Sequence, residues 1–236
     1  MEEKTAFRKS LFYPVLFVSI LWIIRLLEEH YHWHLAVLGI HPLSPDGLLG
    51  IITAPFIHSG FEHLASNTPP LLIVGTGLFY FYKEIALRVI GIIWLFTNFW
   101  VWLAARPDYH IGASGLIYGF VVFLFFSGIF RGDRRLLAIS LLVTFLYGSL
   151  VWGILPVNQA ISFESHLFGS IAGFLCAVYF RKEGPQKVQH VWVDDDLPDG
   201  DEYWKVDALP GEDQPTPPPE QQVNINYVYK EKNENE

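Results

Sequence analysis

Residues Pro107–Phe120 read PDYHIGASGLIYGF, and the ten that follow, VVFLFFSGIF, carry the chain to Arg131 without a charge. Polar and turn-forming residues thus give way abruptly to an apolar run. From Ala113 to Phe130 that run approaches the roughly 20 residues a helix needs to cross a bilayer. Ser114 stands at its head, with Gly112 and Gly115 close on either side. Small residues in this position have two readings. They let membrane helices approach closely, or they clear space around a hydroxyl that acts as a nucleophile.

The rest of the chain makes the membrane setting general. Of its 236 residues, 51% are hydrophobic and 16% aromatic, and 17% are charged, where a soluble domain carries about 25%. The charges gather at the N-terminus, in short interruptions and in the last fifty-odd residues. Six apolar spans lie between them: Leu11–Leu27, Leu64–Tyr82, Ala86–Ala105, Ala113–Phe130, Leu136–Trp152 and His166–Phe180. The first is too long for a cleavable signal, and EEHYHW follows it instead of a small-residue cleavage site. Cys176 stands alone within an apolar run, so no disulfide framework is expected. The net charge of −8 comes mainly from the tail, and no nucleic-acid partner is expected.

Lys and Arg set the expected orientation. Lys4, Arg8 and Lys9 precede span one, and Lys83 and Arg88 lie between spans two and three. Arg131, Arg134 and Arg135 lie between spans four and five, and Arg181, Lys182 and Lys187 follow span six. The opposite side holds Arg106, with Arg25 near the end of span one. Both termini are therefore expected in the cytoplasm. The loop from Glu28 to Gly60 lies outside and is rich in apolar residues, so a half-embedded interfacial element is expected there. The tail, with VDDDLPDGDEYW and GEDQPTPPPEQQ, is acidic and proline-rich and reads as disordered. Its closing VNINYVYK is a short β-like run that could meet a cytoplasmic partner.

Polar side chains inside a bilayer are costly, which makes them functional candidates. Ser114 lies 17 residues before Arg131, His166 lies 15 before Arg181, and Asn67 lies 16 before Lys83. At 1.5 Å per helical residue these are heights of about 25, 22 and 24 Å. Three spans therefore place Ser, His and Asn at one level, several ångströms below the outer surface. His63 is one turn above Asn67 on the same face, and Tyr118 is one turn below Ser114. Gly115 and Gly119 on span four, and Gly169 and Gly173 on span six, form small faces that would bring His166 against Ser114.

The ordered motifs HLASN in span two, GASG in span four and SHLFGSIAG in span six resemble those of the rhomboid intramembrane serine proteases. The resemblance covers roughly residues 10–181 and implies a six-transmembrane-helix, all-α bundle. It implies Ser114 as nucleophile and His166 as general base, His63 and Asn67 as oxyanion donors, and Tyr118 stacked on the base. It also implies a loop, here RPDYHIG, that dips into the membrane ahead of Ser114. The Trp-Arg pair that many members carry in the first outer loop has no counterpart, since no Arg occurs between Arg25 and Arg88.

The expected architecture is a cytoplasmic segment over residues 1–9, a protease domain over 10–182 and an acidic cytoplasmic tail over 183–236. The expected setting is a bacterial inner membrane, with transmembrane proteins as substrates and no cofactor. The segment GILPVNQAISFES (Gly153–Ser165) is expected to act as a lid, and Glu164 is placed in that loop. Two alternatives stand beside the protease. One is a non-catalytic scaffold. The other is a metal-handling transporter using His30, His32, His34, His41 and His58, although no His-Glu-x-x-His motif is present.

Overall fold

The computed structural model describes residues 2–146, 153–156 and 162–184. Among the described residues all regular structure is helical. Helix α1 spans Glu2–Tyr31, the short α2 Gly50–Thr53, α3 Phe61–Phe81, α4 Ala86–Ala104, α5 Ser114–Arg131, α6 Arg134–Leu146 and α7 Phe163–Tyr179. The end of the fifth span, part of the expected lid and nearly all of the tail, including VNINYVYK, lie outside the described residues. Among the described residues, four helical stretches are long and apolar enough to cross a membrane: Lys4–Tyr31, Ala86–Ala104, Ser114–Arg131 and Phe163–Lys182. In α3 the residues His63, Asn67, Pro69 and Pro70 dilute the apolar character, and the helix continues through both prolines.

Helix α5 is the centre of the bundle and packs on α3, α4, α6 and α7. It is apolar nearly all round and mostly buried, as a helix with neighbours on most faces should be. Its contact with α7 is made by glycine. A Cβ on Gly169 would collide with the carbonyl oxygen of Gly115, and one on Gly173 with that of Gly119. The backbones approach as closely as small-residue faces allow. Gly115 faces Thr97 of α4 and Ser165 of α7, and Gly119 faces Ile93 of α4.

Gly112 does not belong to this set. It sits in the loop before α5 with φ of 107°, and a Cβ there would lie 2.8 Å from Cε1 of His63. Its place follows from backbone conformation and proximity to His63, not from helix packing.

Helix α5 ends at a glycine turn. Gly132 adopts φ of 63°; its N–H donates to the Ile129 carbonyl at 3.2 Å, and that of Asp133 donates to Gly128 at 2.9 Å. This crossed pair satisfies carbonyls that the helix leaves open. The neighbouring Arg131 is buried beside the Tyr82 ring at 4.9 Å. It donates to the Phe180 carbonyl at 2.7 Å and to that of Glu183, tying the end of α5 to the end of α7.

The long loop between α1 and α3 is held by α4. Trp94 Nε1 and Asn98 Nδ2 donate to the Ile51 carbonyl at 3.0 and 2.9 Å, and Trp102 Nε1 donates to Ser44 at 2.9 Å. Ile40 and His110 exchange both backbone hydrogen bonds at 2.9 Å. The loop that precedes Ser114 is thereby fixed against the loop between α1 and α3.

Candidate active site

Ser114 is the first residue of α5. Backbone N–H groups in the first turn of a helix have no carbonyl partner within it and form its positive end. The hydroxyl therefore sits beside donors already aimed out of the helix. His166 lies one turn inside α7, and its Nε2 is 2.8 Å from Ser114 Oγ. The other ring nitrogen, Nδ1, is 2.9 Å from the Gly153 carbonyl. A carbonyl only accepts, so Nδ1 carries the proton and Nε2 presents its lone pair to the serine hydroxyl. That is the tautomer a general base needs. The Tyr118 ring stacks on the imidazole, with centroids 4.1 Å apart and planes 10° apart.

His63 and Asn67 project from the first turns of α3 toward the loop that delivers Ser114. The side of Gly112 where a Cβ would stand is 3.1 Å from His63 Nε2 and 3.9 Å from Asn67 Nδ2. Ser59 Oγ is 3.2 Å from His63 Nδ1. If that hydroxyl donates, His63 presents an N–H on Nε2, the side facing the loop. Asn67 gives one amide hydrogen to His58 Nε2 at 3.1 Å and keeps a second for another acceptor. With Asn67 serving as an oxyanion donor in a serine protease, Asn67→Ala would lower kcat by about 10²–10³ with KM changed less than about threefold. Initial rates across substrate concentrations separate the two constants.

His58, counted at the sequence level only among possible metal ligands, lies in this cluster. It is buried, and its Nε2 also accepts from the Ala113 N–H at 3.4 Å. It links α3 to the loop before Ser114 as a neutral ring. Burial, and secondarily the charge of His63, push its pKa down to about 3, against a smaller opposing effect from the Phe56 backbone. The unfolded chain takes up this proton near pH 6.5, while the folded protein resists it until about 3. The stabilisation is complete above the unfolded value and is lost as pH falls toward the folded one. Thermal unfolding in detergent should therefore shift to higher temperature from pH 4.5 to 7, and His58→Gln should flatten that slope. A slope unchanged in the variant would assign the effect to other groups.

Other outer-loop histidines do not gather. Among the described residues no group of three or more His, Cys, Asp or Glu is placed to hold a metal ion. Glu164, expected in a loop, is instead in the first turn of α7 and buried, with Oε1 3.5 Å from Arg106 Nε. Its partner is a cation in the loop before Ser114, Arg106, not the His166 ring. The spacing His58-x4-His63-x3-Asn67 is the signal that would have marked His58. The Gly153 carbonyl has no such signal, because any residue supplies one.

The fold and the cluster define a class: an all-helical membrane protein that pairs a serine and a histidine from two glycine-packed helices at the head of its central helix. Comparison with known proteins places it further. The rhomboid domain family matches residues 45–183. An uncharacterized protein of Mycobacterium tuberculosis is 37% identical over 175 residues, covering 68% of this chain and 71% of that protein. An uncharacterized protein of Mycobacterium leprae is 33% identical over 170 residues, covering 68% and 67%. A Bacillus subtilis protein named "Putative rhomboid protease YdcA" is 28% identical over 175 residues, covering 66% and 81%. The chain belongs to the rhomboid family and is an integral, multi-pass membrane protein.

Proposed function

We propose that the protein is an intramembrane serine endopeptidase that hydrolyses peptide bonds in or near transmembrane segments of other membrane proteins. The observation that carries this reading is the Ser114–His166 contact at 2.8 Å, with the histidine proton held on the far nitrogen by Gly153.

In the reaction, Ser114 Oγ attacks the scissile carbonyl carbon while His166 Nε2 takes the hydroxyl proton. The carbonyl π electrons move to oxygen. That oxyanion is met by the Ser114 backbone N–H, the free amide hydrogen of Asn67 and His63 Nε2–H. Collapse breaks the C–N bond, and the leaving amine takes the proton from His166. A water molecule, deprotonated by the same nitrogen, then attacks the acyl ester and returns the serine. Gly153 and the Tyr118 stack do the orienting that an aspartate does in a triad. No cofactor enters these steps.

The substrate segment must unwind, because a helix hides its carbonyls in hydrogen bonds. Gly or Pro near the cut weakens the helix and favours cleavage. We further propose six spans, with α3 and α6 crossing alongside the four helices that are long and apolar enough by themselves. Both termini face the cytoplasm, by the distribution of Lys and Arg, and the membrane is a bacterial inner membrane. Exposed Leu43, Leu48, Leu49 and Ile52 on the first outer loop support its partial insertion at the interface. The protease domain is residues 10–182, and residues 183–236 are a separate acidic tail open to a cytoplasmic partner.

The test is cleavage of a transmembrane reporter in liposomes by the wild type and by Ser114→Ala. Cleavage by the wild type alone is the expected result. Equal cleavage by both would overturn the reading.

A further inference from the structure

His110 carries a second link between the nucleophile loop and α7. Its side chain is 2% exposed, and the steps above make no use of it. Its Nε2 is 3.0 Å from the Arg106 carbonyl, which fixes a proton on that nitrogen. Its Nδ1 therefore accepts, and Ser162 Oγ lies 2.6 Å away to donate. Ser162 caps α7: its oxygen accepts from the Ser165 N–H at 3.3 Å and is 2.7 Å from Ser165 Oγ. A hydroxyl has one donor and two acceptor positions, and here all three are used. The proton order runs without a gap from Ser165 through Ser162 and His110 to Arg106. Beside it, Arg106 pairs with Glu164 at 3.5 Å.

The placement matters because the contact runs parallel to the dyad. His110 precedes Ser114 by four residues, and Ser162 precedes His166 by four. The two contacts thus join the same two segments, each across 52 residues of sequence. Below the dyad, glycine packing sets the distance between α5 and α7. Above it, on the loop side, no glycine face continues. His110 is also the residue whose backbone is fixed on both sides by Ile40. Its ring therefore transmits a fixed position from the first outer loop to the cap of the helix that carries the base.

We propose that His110, acting through Ser162, is a positioning residue that holds the nucleophile loop and the cap of α7 together and so sets the Ser114–His166 geometry. The inference rests on the dyad reading and deepens it. Misplacement of reacting groups by about 1 Å can cost 10²-fold in rate. A latch backed by glycine packing should lose less, about tenfold.

The experiment uses the full chain in detergent and four variants: His110→Phe, Ser162→Ala, the two combined, and His110→Gln, whose amide can both donate and accept. His110→Phe and Ser162→Ala should each lower kcat about tenfold and leave KM within about threefold. The combined variant should fall no further than the worse single one, because both remove the same link. His110→Gln should recover to within about threefold of wild type. Labelling of Ser114 by a fluorophosphonate should slow in the same order. Wild-type kcat in folded His110→Phe, or losses that multiply to about a hundredfold in the combined variant, would overturn the proposal. If His110→Phe does not fold, Ser162→Ala decides, and wild-type kcat there overturns it. Ser114→Ala run in parallel separates the two readings. Activity surviving in it refutes the dyad itself, while activity lost in it but kept in His110→Phe refutes the latch alone.

Discussion

His166→Ala is expected to lower turnover on a transmembrane reporter by about 10⁴-fold or more, with the protein still folded. The serine hydroxyl is a weak nucleophile, and Nε2 at 2.8 Å is the one base in contact with it among the described residues. Removing a member of such a pair leaves the residual catalysis of the oxyanion donors and binding. The alanine also removes the ring that stacks on Tyr118, so a fold check belongs with the rate. His166→Gln keeps a hydrogen-bonding side chain but not a base of suitable pKa, and it should be as slow. Loss of turnover in both variants with unfolding near the wild-type temperature assigns the effect to chemistry. Turnover above about a tenth of wild type in either would place the base elsewhere.

Gly169→Leu is expected to abolish activity by a different route. A Cβ at position 169 would lie 2.1 Å from the Gly115 carbonyl oxygen, one residue beyond Ser114. Backbone cannot yield as a flexible side chain does, so α7 must move away from α5 and carry His166 with it. Overpacking of this kind costs about 1–3 kcal/mol or more, and a displacement of about 1 Å already costs about 10² in rate. Both the unfolding temperature and kcat should fall. Gly91→Ala is the control, because α4 has open space where that Cβ would be added. It should leave rate and unfolding temperature close to wild type. A Gly169→Leu protein with normal rate and stability would mean that the two helices do not meet at this glycine.

The features legible in the sequence are those with a period or a depth. Apolar runs broken by Lys and Arg show a helical membrane chain. Counting up from the charges brings Ser114, His166 and Asn67 to one level, because helical rise is constant. Glycines four apart in two segments predict a close pairing, and Gly169 and Gly173 of α7 do lie on the Gly115 and Gly119 carbonyls of α5.

What sequence does not display is set by loops. Helix α1 starts at Glu2, far ahead of its apolar run, because charged residues at a helix end can stay solvated without breaking it. Gly112 shares a composition with the packing glycines, and only its positive φ separates it from them. Glu164 follows a turn-rich stretch, yet the Ser162 cap starts α7 before it. His110 is an isolated histidine in an irregular segment. Its partner Ser162 is 52 residues away, and no spacing links the two.

The most direct measurement of the central claim is the site and base dependence of covalent labelling. Purified wild type is treated with a fluorophosphonate in detergent, digested and read by mass spectrometry, with His166→Ala treated alongside. The Ser114–His166 dyad predicts one modified peptide, carrying the adduct on Ser114, and modification slowed at least about a hundredfold in His166→Ala. An adduct on another residue, or equal labelling of Ser114 with and without His166, would contradict it.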